Sequence, residues 1–496
     1  MNDSSLRHDK QVRQANAALL MAIDERQKKD RKDPFRLDYH FMAPANWIND
    51  PNGFIYFKDK YHLFYQHHPF SAIWGPMHWG HAISEDLVHW EHVPIALAPS
   101  ETYDEGGCFS GSAIDNDGVL TLVYTGHAPN RKPKQVQCIA SSPDGIKFEK
   151  WMNNPVIAFP PPDGSEEFRD PKVWRSGEYW YMIVGTSFEG NGKVVIYRSS
   201  NLTDWNYRGT LLESSGMKGT MWECPDLFTI NDRAILIVSP MDMEGCKNRC
   251  IAILGEYDEA NGKFMEQEWV DLDYGTDYYA AQTLLDGKGR RIVIGWMDMW
   301  GAKAPSAQYG WSGAMTLPRE LSLFPDHSLC IRPIIELQKL RHTPRLYEDF
   351  ILNSETIELP EILSTRLEMQ VELDLRRTTA AKIGVHLRSS ADGQEETILV
   401  YDSKYETIKI ERNRSGIGDK NSCSYKVKNG ESVLKLQVFL DQSSIEVFIN
   451  DGRAVMTSRI FPRSDSRGVR LFAEQGTATF RSLRMWSLKS VWPQAD

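Results

Sequence analysis

The sequence predicts an all-β protein in which a five-bladed β-propeller is followed by a C-terminal β-sandwich, with a short helix at the N-terminus. Beyond that helix, almost every segment is a short run of aromatic or β-branched residues between turn residues, as in Trp180–Val184. A seven-residue phrase that begins with serine and ends with an aromatic residue recurs at Ser84–Trp90, Ser142–Phe148 and Ser199–Trp205, at intervals of 58 and 57 residues. Such a repeat, built only from strands, predicts one four-stranded blade per copy.

Changes of pattern divide the chain into units. Val12, Ala15 and Leu19 fall on one face of a predicted amphipathic helix over residues 5 to about 28. Alternating apolar and polar residues after residue 350, as in Leu367–Leu375, are typical of sandwich strands with one buried face. The predicted units are an N-terminal helical extension at 1–33, the propeller at 34–335, a linker at 336–349 and the sandwich at 350–496.

The linker region has a helical pattern of its own. Pro333–His342 resembles a connecting helix, and Ile335, Leu337 and Leu340 are available for its buried side. We therefore expect a short helix between the two domains, with these three side chains packed against one of them.

The composition is that of an ordinary globular protein. Of 496 residues, 41% are hydrophobic and 25% charged, so about two to three domains with sizeable cores are expected. The net charge is −10 without a long basic run, which argues against a nucleic-acid surface. No stretch reaches the roughly 18 apolar residues of a membrane span. The sequence predicts a soluble protein whose partners include neither nucleic acid nor a membrane.

The seven cysteines are scattered and odd in number. A secreted protein that depends on disulfides would more often have an even, dense set. Cys246 and Cys250 form the closest pair, but no second pair stands at the spacing of a zinc site. Reduced cysteines in a cytoplasmic protein are therefore the favoured interpretation.

The stretch Trp47–Gly53 places a carboxylate among strong backbone signals. Pro51 has no N–H to donate and biases Asp50 away from the helical region, while the Asn-Gly pair that follows is a turn signal. A hairpin is predicted directly afterwards, at 54–65. Asp50 is then expected at a tight turn that exposes its carboxylate, although the same residue could simply cap the bend as an Asx turn.

The blade-length repeat relates Asp50 to four polar residues further along the chain. Steps of 60, 60, 53 and 56 residues lead to Ser110, Asp170, Glu223 and Tyr279. If the blades are equivalent, these five side chains come from equivalent positions near the inner ends of the innermost strands and line one cavity. Three desolvated carboxylates would repel each other unless chemistry, a metal or a cation uses them.

Paired carboxylates can hydrolyse a glycosidic bond with retention, since one attacks the anomeric carbon and the other protonates the leaving oxygen. Arg169 precedes Asp170 and favours an ionised carboxylate that accepts hydrogen bonds from sugar hydroxyls. Glu223 lies between an aromatic residue and a thiol, a less polar setting that suits a proton-carrying acid. These residue types favour Asp50 as nucleophile, Glu223 as acid/base and Asp170 as stabiliser.

A metal site is the rival use of the carboxylates. The neighbouring His67 and His68 invite that interpretation, but adjacent residues on a strand point to opposite faces and rarely bind one ion. A structural ion held by acidic loops stays open. We expect neither a catalytic metal nor a cofactor.

Four short motifs follow one another at blade spacing: Trp47–Gly53, Phe109–Ser112, Phe168–Pro171 and Trp222–Asp226. Together they resemble the signature of glycoside hydrolase family 32, which contains invertases, sucrose-6-phosphate hydrolases, levanases and inulinases. Phe439–Gly452 resembles the family's C-terminal sandwich signature, so the likeness spans about residues 35 to 490. It implies a five-bladed propeller followed by a β-sandwich, in agreement with the count of repeats.

Carried over motif by motif, the resemblance implies Asp50 as nucleophile, Glu223 as general acid/base and Asp170 as the transition-state stabiliser that grips fructose hydroxyls. The family also implies a pocket for the fructosyl group. Its residues would be Trp47, Asn49, Gln66, Trp74, Phe109, Ser110, Arg169, Tyr279 and Trp296.

Some of these pocket residues have other interpretations. Tyr278 could take the place of Tyr279, because the two stand side by side. Ordinary propeller packing could explain Trp74 and Trp296, and it is the better explanation for Trp79.

We therefore expect a retaining β-fructofuranosidase that hydrolyses sucrose or a related small β-fructoside, with that saccharide as its partner. Alternative substrates are fructans, fructo-oligosaccharides or sucrose 6-phosphate, whose phosphate could bind Arg131, Lys132 and Lys134. These three residues could equally be solvated loop charges.

Transfer of fructose to another sugar would use the same site residues. From a different class comes a non-catalytic carbohydrate-binding propeller. The sandwich could stabilise the propeller, bind sugar or mediate a homodimer.

Overall fold

Five β-sheets follow one another in the computed structural model, which describes residues 3–29, 33–214, 218–243, 248–342, 344–359, 364–428 and 430–492. The first contains β1 (Asn46–Phe57), β2 (Lys60–His68), β3 (His78–Ser84) and β4 (Trp90–Leu97). The second contains β5 (Gly107–Asn116), β6 (Val119–His127), β7 (Gln135–Ser142) and β8 (Glu149–Lys150). The third contains β9 (Phe168–Ser176), β10 (Tyr179–Phe188), β11 (Asn191–Ser199) and β12 (Asn206–Glu213).

The last two sheets complete the series. The fourth contains β13 (Met221–Ile230), β14 (Arg233–Met241), β15 (Ile251–Asp258) and β16 (Lys263–Asp271). The fifth is formed by β17 (Tyr279–Leu285) and β18 (Arg291–Trp296), then, after the short strand β19 (Trp311–Ser312), by β20 (Arg319–Leu323) and β21 (Leu329–Pro333). Strand β19 pairs in parallel with β1.

The five sheets are the blades of a closed propeller. Within each blade the strands pair antiparallel in chain order, and the first strands β1, β5, β9, β13 and β17 each contact the first strands of both neighbouring blades. The contact between β1 and β17 closes the ring, and β19 adds a second link across that closure. The predicted five-bladed propeller is confirmed.

The serine phrase of the sequence marks the turn between the third and fourth strands of a blade. Ser84 ends β3, and its hydroxyl accepts a hydrogen bond from the backbone N–H of Leu87 at 2.9 Å. The Trp90 indole N–H donates to the carbonyl of Leu87 at 3.0 Å and so fixes the turn from its other side. Ser199 and Trp205 make the same contacts two blades later. These two copies of the phrase therefore share one turn geometry, whereas in the copy at Ser142–Phe148 the Asp144 carboxylate accepts the hydrogen bonds from the backbone N–H groups of Ile146 and Lys147.

Each of the five first strands contains a β-bulge near its start. In β1 the pairing with β2 shifts between Ile48 and Pro51, which leaves Asp50 at the bulge. The bulges of three other blades each hold one non-glycine residue with positive φ: Asp170 (+67°), Cys224 (+49°) and Ala280 (+52°). The prediction of a tight turn at Asp50 is wrong, because β1 continues through the bulge into the predicted hairpin with β2.

Helix α1 (Asp3–Lys29) precedes the blades and lies against β4 and β8. Ala15 is fully buried there, and the amide oxygen of Asn16 accepts a hydrogen bond from the backbone N–H of Ile95 at 3.2 Å. The predicted N-terminal helix is confirmed, and its 27 residues make it longer than expected. Within the described part of the chain, no helix is both long and apolar enough to cross a membrane.

The C-terminal domain is a sandwich of two antiparallel sheets, as predicted. Its strands are β22 (Arg345–Asn353), β23 (Thr356–Glu358), β24 (Leu367–Asp374), β25 (Lys382–Ser389), β26 (Glu396–Asp402), β27 (Thr407–Arg414), β28 (Cys423–Lys426), β29 (Val433–Asp441), β30 (Ser444–Ile449), β31 (Ala454–Arg459), β32 (Gly468–Glu474) and β33 (Thr477–Ser487). One sheet has the order β22-β33-β24-β29-β30-β31 and the other the order β23-β32-β25-β26-β27-β28. Alternating apolar residues of both sheets form the core between them.

The connection between the domains differs in detail from the expectation. It contains a 3-10 helix at Ile335–Leu340, in which Leu337 and Leu340 are buried while Ile335 is 59% exposed. A 3-10 helix has three residues per turn, so residues 337 and 340 share a face that residue 335 does not. The first sandwich strand starts at Arg345, within the predicted linker.

A buried network of charges joins the propeller to the sandwich. The Arg319 guanidinium of β20 pairs with Asp273 at 2.8 Å and with Glu446 of β30 at 2.6 Å. His40 lies between Glu446 and Asp441, at 3.0 and 2.8 Å. Burial lowers the pKa of His40, but the hydrogen bonds to both carboxylates outweigh it and raise that pKa to about 8. Since unpaired buried charges are costly, the network holds the two domains in one arrangement.

Candidate active site

The five polar residues that the blade repeat relates lie together at one end of the ring. Asp50, Ser110, Asp170, Glu223 and Tyr279 stand on the first strands of the five blades, at or beside the bulges. The Ser110 hydroxyl donates to Asp50 Oδ2 at 2.7 Å, and the Tyr279 hydroxyl donates to Glu223 Oε2 at 2.6 Å. Three carboxylates therefore share one small site.

Asp50 is held by short polar contacts within an environment that disfavours its charge. Its Oδ1 accepts a hydrogen bond from the Asn49 amide at 3.1 Å, and that amide in turn accepts one from the Trp47 indole at 2.7 Å. Desolvation raises the pKa of Asp50 to about 6, against the hydrogen bond from Ser110, and the charge of Glu223 adds to the rise. The carboxylate is oriented yet easily protonated.

Asp170 lies at a strained backbone position that the neighbouring blades stabilise. Its backbone N–H donates to Thr125 Oγ1 at 3.0 Å, and its Oδ2 accepts a hydrogen bond from the backbone N–H of Cys224 at 3.0 Å. Desolvation raises the pKa of Asp170 to about 7; Arg169 opposes the rise, and the charges of Glu223 and Asp50 add to it. The three carboxylates behave as one interacting set.

Arg169 contacts a different carboxylate from the one expected. Its Nε donates to Glu223 Oε1 at 2.9 Å, and the guanidinium also pairs with Glu167 and donates to Gln135 Oε1 at 3.3 Å. The bulge places the neighbouring Asp170 carboxylate away from this fork, against the backbone of the next blade. Glu223 consequently lies in a polar, hydrogen-bonded setting, and the expectation of a less polar one is wrong.

Cys224 is a site residue that the sequence reasoning did not single out. Its buried thiol lies 3.8 Å from Asp50 Oδ2 and 3.7 Å from Asp170 Oδ2, and burial raises its pKa well above the ordinary value. A signal was present in the sequence. Cys224 precedes Pro225 as Asp170 precedes Pro171, so the cysteine occupies in its blade the place of the aspartate in the blade before.

Three tryptophans form one wall beside the carboxylates. The Trp47 ring lies 5.9 Å from Trp296 and stacks on Trp300 at 6.2 Å, and Trp296 meets Trp300 edge to face at 5.0 Å. Trp296 is almost fully buried, whereas Trp300 is 37% exposed at the rim. Sequence reasoning missed Trp300, which follows Trp296 after only three residues.

The other predicted pocket residues differ in how close they come to the carboxylates. Phe109, next to Ser110, stacks on His127 with ring centres 4.3 Å apart. Gln66 is buried and donates to the Cys108 carbonyl at 3.0 Å, behind the strand that carries Ser110. Trp74 lies in the loop between β2 and β3 with 48% of its surface exposed, which is not the exposure of a core side chain.

Two of the alternatives from the sequence concern packing. The fully buried Trp79 donates its indole N–H to the Phe109 carbonyl at 3.1 Å, which is a packing role. Tyr279 reaches Glu223, while the neighbouring Tyr278 lies in the hydrophobic core beside Arg319. Among the described residues, no three His, Cys, Asp or Glu side chains are grouped so as to hold a metal ion.

Comparison with known proteins agrees with this architecture. Residues 40–333 match the model for the glycosyl hydrolases family 32 N-terminal domain, and residues 336–487 match that for the family 32 C-terminal domain. A sucrose-6-phosphate hydrolase of Zymomonas mobilis is 42% identical over 479 residues, which cover 91% of this chain and 92% of that protein. A raffinose invertase of Escherichia coli is 38% identical, with 91% and 94% covered.

Solved structures show the same fold. A mutant of the Bombyx mori GH32 beta-fructofuranosidase, in complex with sucrose, matches with a TM-score of 0.82 and 32% identity, covering 96% of this chain and 99% of that one. These matches identify the chain as a glycoside hydrolase, and the carboxylates on the first strands of its five-bladed propeller agree with that class. The chain belongs to glycosyl hydrolases family 32.

The raised pKa of Asp170 predicts a cost in stability. A folded-state pKa of about 7 against an ordinary 3.8 means that the native protein holds a proton the unfolded chain releases, so this residue lowers stability as pH rises from about 4 to 7. We expect Asp170→Asn to melt about 2 °C or more above the parent at pH 8. That difference should shrink towards pH 4.5, as followed by thermal unfolding at both pH values.

Asp286→Asn is the matched control with the opposite sign. Despite the opposing effect of burial, hydrogen bonds from Arg290 and its neighbours lower the pKa of Asp286. Its carboxylate therefore stabilises the fold above about pH 4, and the variant should melt below the parent at pH 8. An Asp170→Asn protein that is less stable than the parent at pH 8 would contradict this account.

Proposed function

We propose that the protein is a retaining β-fructofuranosidase that hydrolyses sucrose or a related small β-fructoside without a cofactor. The observation that carries this proposal is the pairing of an oriented carboxylate at Asp50 with a hydrogen-bonded carboxyl at Glu223 in one desolvated site. The relatives named above, one of them solved with sucrose bound, support the choice of substrate.

In the first step the Asp50 carboxylate attacks C2 of the fructosyl group. Ser110 and Asn49 hold the attacking carboxylate in one orientation. The bond from C2 to the glycosidic oxygen breaks, and that oxygen receives its proton from Glu223.

The second step releases fructose. Glu223, now ionised, takes a proton from water, and the water oxygen attacks C2 of the fructosyl ester of Asp50. Arg169 and Tyr279 donate to Glu223 at 2.9 and 2.6 Å and stabilise the carboxylate that acts as base. The products are fructose and the free leaving-group sugar, and both carboxyl groups return to their starting states.

Asp170 is assigned to the fructosyl hydroxyls. An ionised carboxylate that accepts hydrogen bonds from sugar hydroxyls binds more strongly as positive charge develops on the ring, which stabilises the transition state. The remaining walls of the proposed pocket are Trp47, Asn49, Gln66, Trp74, Phe109, Ser110, Arg169, Tyr279 and Trp296.

Replacing either of the two reacting carboxyl groups should stop sucrose hydrolysis, in different ways. We expect Asp50→Asn and Glu223→Gln each to lose about 10³-fold or more in kcat/KM. On an aryl β-fructofuranoside, whose phenolate leaves without a proton, Glu223→Gln should still release a burst of phenol, because only its second step is impaired. Asp50→Asn should release none. Rapid-mixing absorbance measurements distinguish these results.

The matched control is Asp226→Asn. Asp226 is a buried carboxylate on the same strand as Glu223, but it pairs with Lys172 at 2.9 Å deeper in the ring. This variant should keep kcat/KM within a few-fold of the parent. Full activity of Asp50→Asn on sucrose would refute the assignment of the nucleophile.

The activity should fall at acidic pH, because the carboxyl groups with raised pKa values become protonated. With pKa values of about 6 for Asp50 and about 7 for Asp170, the acid limb of kcat/KM should lie between pH 6 and 7. In Ser110→Ala the donor to Asp50 is lost and the pKa of Asp50 rises, so the lower of the two steps in the acid limb should move up by about half a unit or more, while the step near pH 7 stays in place. A pH–rate profile measures this shift.

Ser112→Ala is the control for that profile. Ser112 is buried on the same strand, two residues on, and accepts a hydrogen bond from the backbone N–H of Val173 at 3.1 Å. Its removal should leave the acid limb in place. If the lower step of the limb stays in place in Ser110→Ala, Asp50 is not the group that must be ionised there.

Sucrose 6-phosphate is the second candidate substrate. The loop with Arg131 and Lys134 leaves β6 directly after His127, which stacks on Phe109 beside the site. After burial itself, the charges of Arg169 and Lys134 contribute to lowering the pKa of His127, so this loop brings positive charge near the pocket. A phosphate on the leaving sugar would find cations there.

Initial rates on sucrose and sucrose 6-phosphate, well below saturation, decide between the two. We expect kcat/KM for sucrose to be at least as high as for its phosphate. A preference for the phosphate of about tenfold or more, reduced in Lys134→Gln but not in Lys60→Gln at the exposed β1–β2 turn, would instead assign the phosphorylated substrate.

Three further properties belong to the proposal. We place the protein in the cytoplasm, because the six cysteines that the structure describes carry free thiols. We propose the propeller unit at 34–335 as the catalytic domain and the unit at 350–496 as its supporting domain. A homodimer through the sandwich is compatible with this arrangement, and light scattering of the purified protein would detect it.

A further inference from the structure

We propose that Arg412, on sandwich strand β27, is a positioning residue for the acid/base. It acts through Asp277 on Tyr279, whose hydroxyl donates to Glu223. The inference rests on the proposed role of Glu223. It assigns the sandwich domain a part in the reaction of the propeller.

The segment before β17, residues 274–277, pairs with the edge of a sandwich sheet. The backbone N–H of Tyr274 donates to the carbonyl of Val455 at 2.8 Å, and that of Thr276 donates to the carbonyl of Thr457 at 2.9 Å. Strand β31, which carries both acceptors, is the edge strand of its sheet. Gly275 permits this approach, because a Cβ there would lie 1.9 Å from the Thr457 carbonyl oxygen.

Asp277 ends this segment with its carboxylate enclosed by the sandwich. Arg412 Nη1 donates to Asp277 Oδ2 at 2.6 Å, and the backbone N–H of Arg459 donates to the same oxygen at 2.8 Å. Arg412 is itself fixed, because it also donates to the carbonyls of Arg459 at 2.6 Å and of Asn421 at 3.1 Å. Both partners are almost fully buried, so the pair is a rigid anchor.

The anchor lies two residues from the site. Two residues of backbone span at most about 7 Å. A displacement of Asp277 should therefore also shift the backbone of Tyr279. Tyr279 is also buried, and its hydroxyl donates to Glu223 Oε2 at 2.6 Å and to the Ser239 carbonyl at 3.0 Å. The position of the Tyr279 side chain therefore depends both on the sandwich and on the carboxylate of Glu223.

The hydrogen bond from Tyr279 matters most when Glu223 is ionised. A hydroxyl that donates to a carboxylate stabilises the charged form. Its loss should leave the Glu223 carboxylate poorly held and weaken it as the base of the second step. A defect in Arg412 should therefore slow the second step, so that an aryl β-fructofuranoside gives a larger burst of phenol.

The test compares Arg412→Gln, Tyr279→Phe and their combination, with kcat/KM measured for sucrose and the phenol burst measured for an aryl β-fructofuranoside. We expect Arg412→Gln to lose about 10- to 100-fold in kcat/KM and to show a larger burst than the parent, as Tyr279→Phe does. If Arg412 acts through the tyrosine, the double variant should be no more than about twofold below Tyr279→Phe alone.

Arg388→Gln is the matched control. Arg388 is an equally buried sandwich arginine, but its guanidinium donates to the carbonyls of Ser466, Gln442 and Arg463, all within its own domain. This variant should lower the melting temperature and leave kcat/KM and the phenol burst per folded molecule unchanged. Should Arg412→Gln fail to fold, Asp277→Asn, which keeps the shape of the side chain, provides the same comparison.

Two results would overturn the inference. One is an Arg412→Gln protein that melts lower but keeps the parent kcat/KM per folded molecule and the parent burst. The other is a double variant whose losses multiply. Failure of the proposed function would be recognised from a different measurement. In that case Glu223→Gln would hydrolyse sucrose normally, a result that does not involve Arg412.

Discussion

The carboxylates at the centre of the ring are desolvated and repel one another, and the surrounding structure has to stabilise them. Desolvation raises the pKa of Asp50 to about 6 and that of Asp170 to about 7, and the charge of Glu223 adds to both. The donors that hold these carboxylates come from neighbouring blades: the Ser110 hydroxyl for Asp50 and the backbone N–H of Cys224 for Asp170. The charge cluster can therefore be stable only in a closed ring, in which each first strand has a neighbour on both sides.

The β-bulges explain how regular strands deliver these groups to one point. An undisturbed strand would alternate its side chains between two faces and keep its N–H groups in the ladder. At the bulges the ladder is interrupted, so the N–H of Cys224 and the carboxylate of Asp170 are free to meet between blades. The positive φ of both residues is backbone strain concentrated at the site, and the paired strands on either side determine it.

The blade repeat predicts the fold well, because the turn between the third and fourth strands is encoded by local contacts, as between Ser84, Leu87 and Trp90 in the first blade. The same repeat brings the five polar residues to one site, since equivalent strands present equivalent positions. It cannot resolve a shift of one residue at a bulge, and for that reason it missed Cys224. Arg169 opposes the rise in the pKa of Asp170, as expected from its place beside that residue, but its direct hydrogen bond goes to Glu223. Asp277 and Arg412 lie 135 residues apart, and no local pattern links them.

The place of Tyr279 in the chain gives the sandwich its importance. The segment directly before Tyr279 pairs with sandwich strand β31, because the backbone N–H groups of Tyr274 and Thr276 donate to its carbonyls. The fifth blade is also where the ring closes against β1. Because the sandwich is bonded to the segment directly before β17, it holds in place both the first strand of the last blade and Tyr279, the donor to Glu223. Attachment of the sandwich at this blade, rather than at another, therefore couples ring closure to the geometry of the carboxylates.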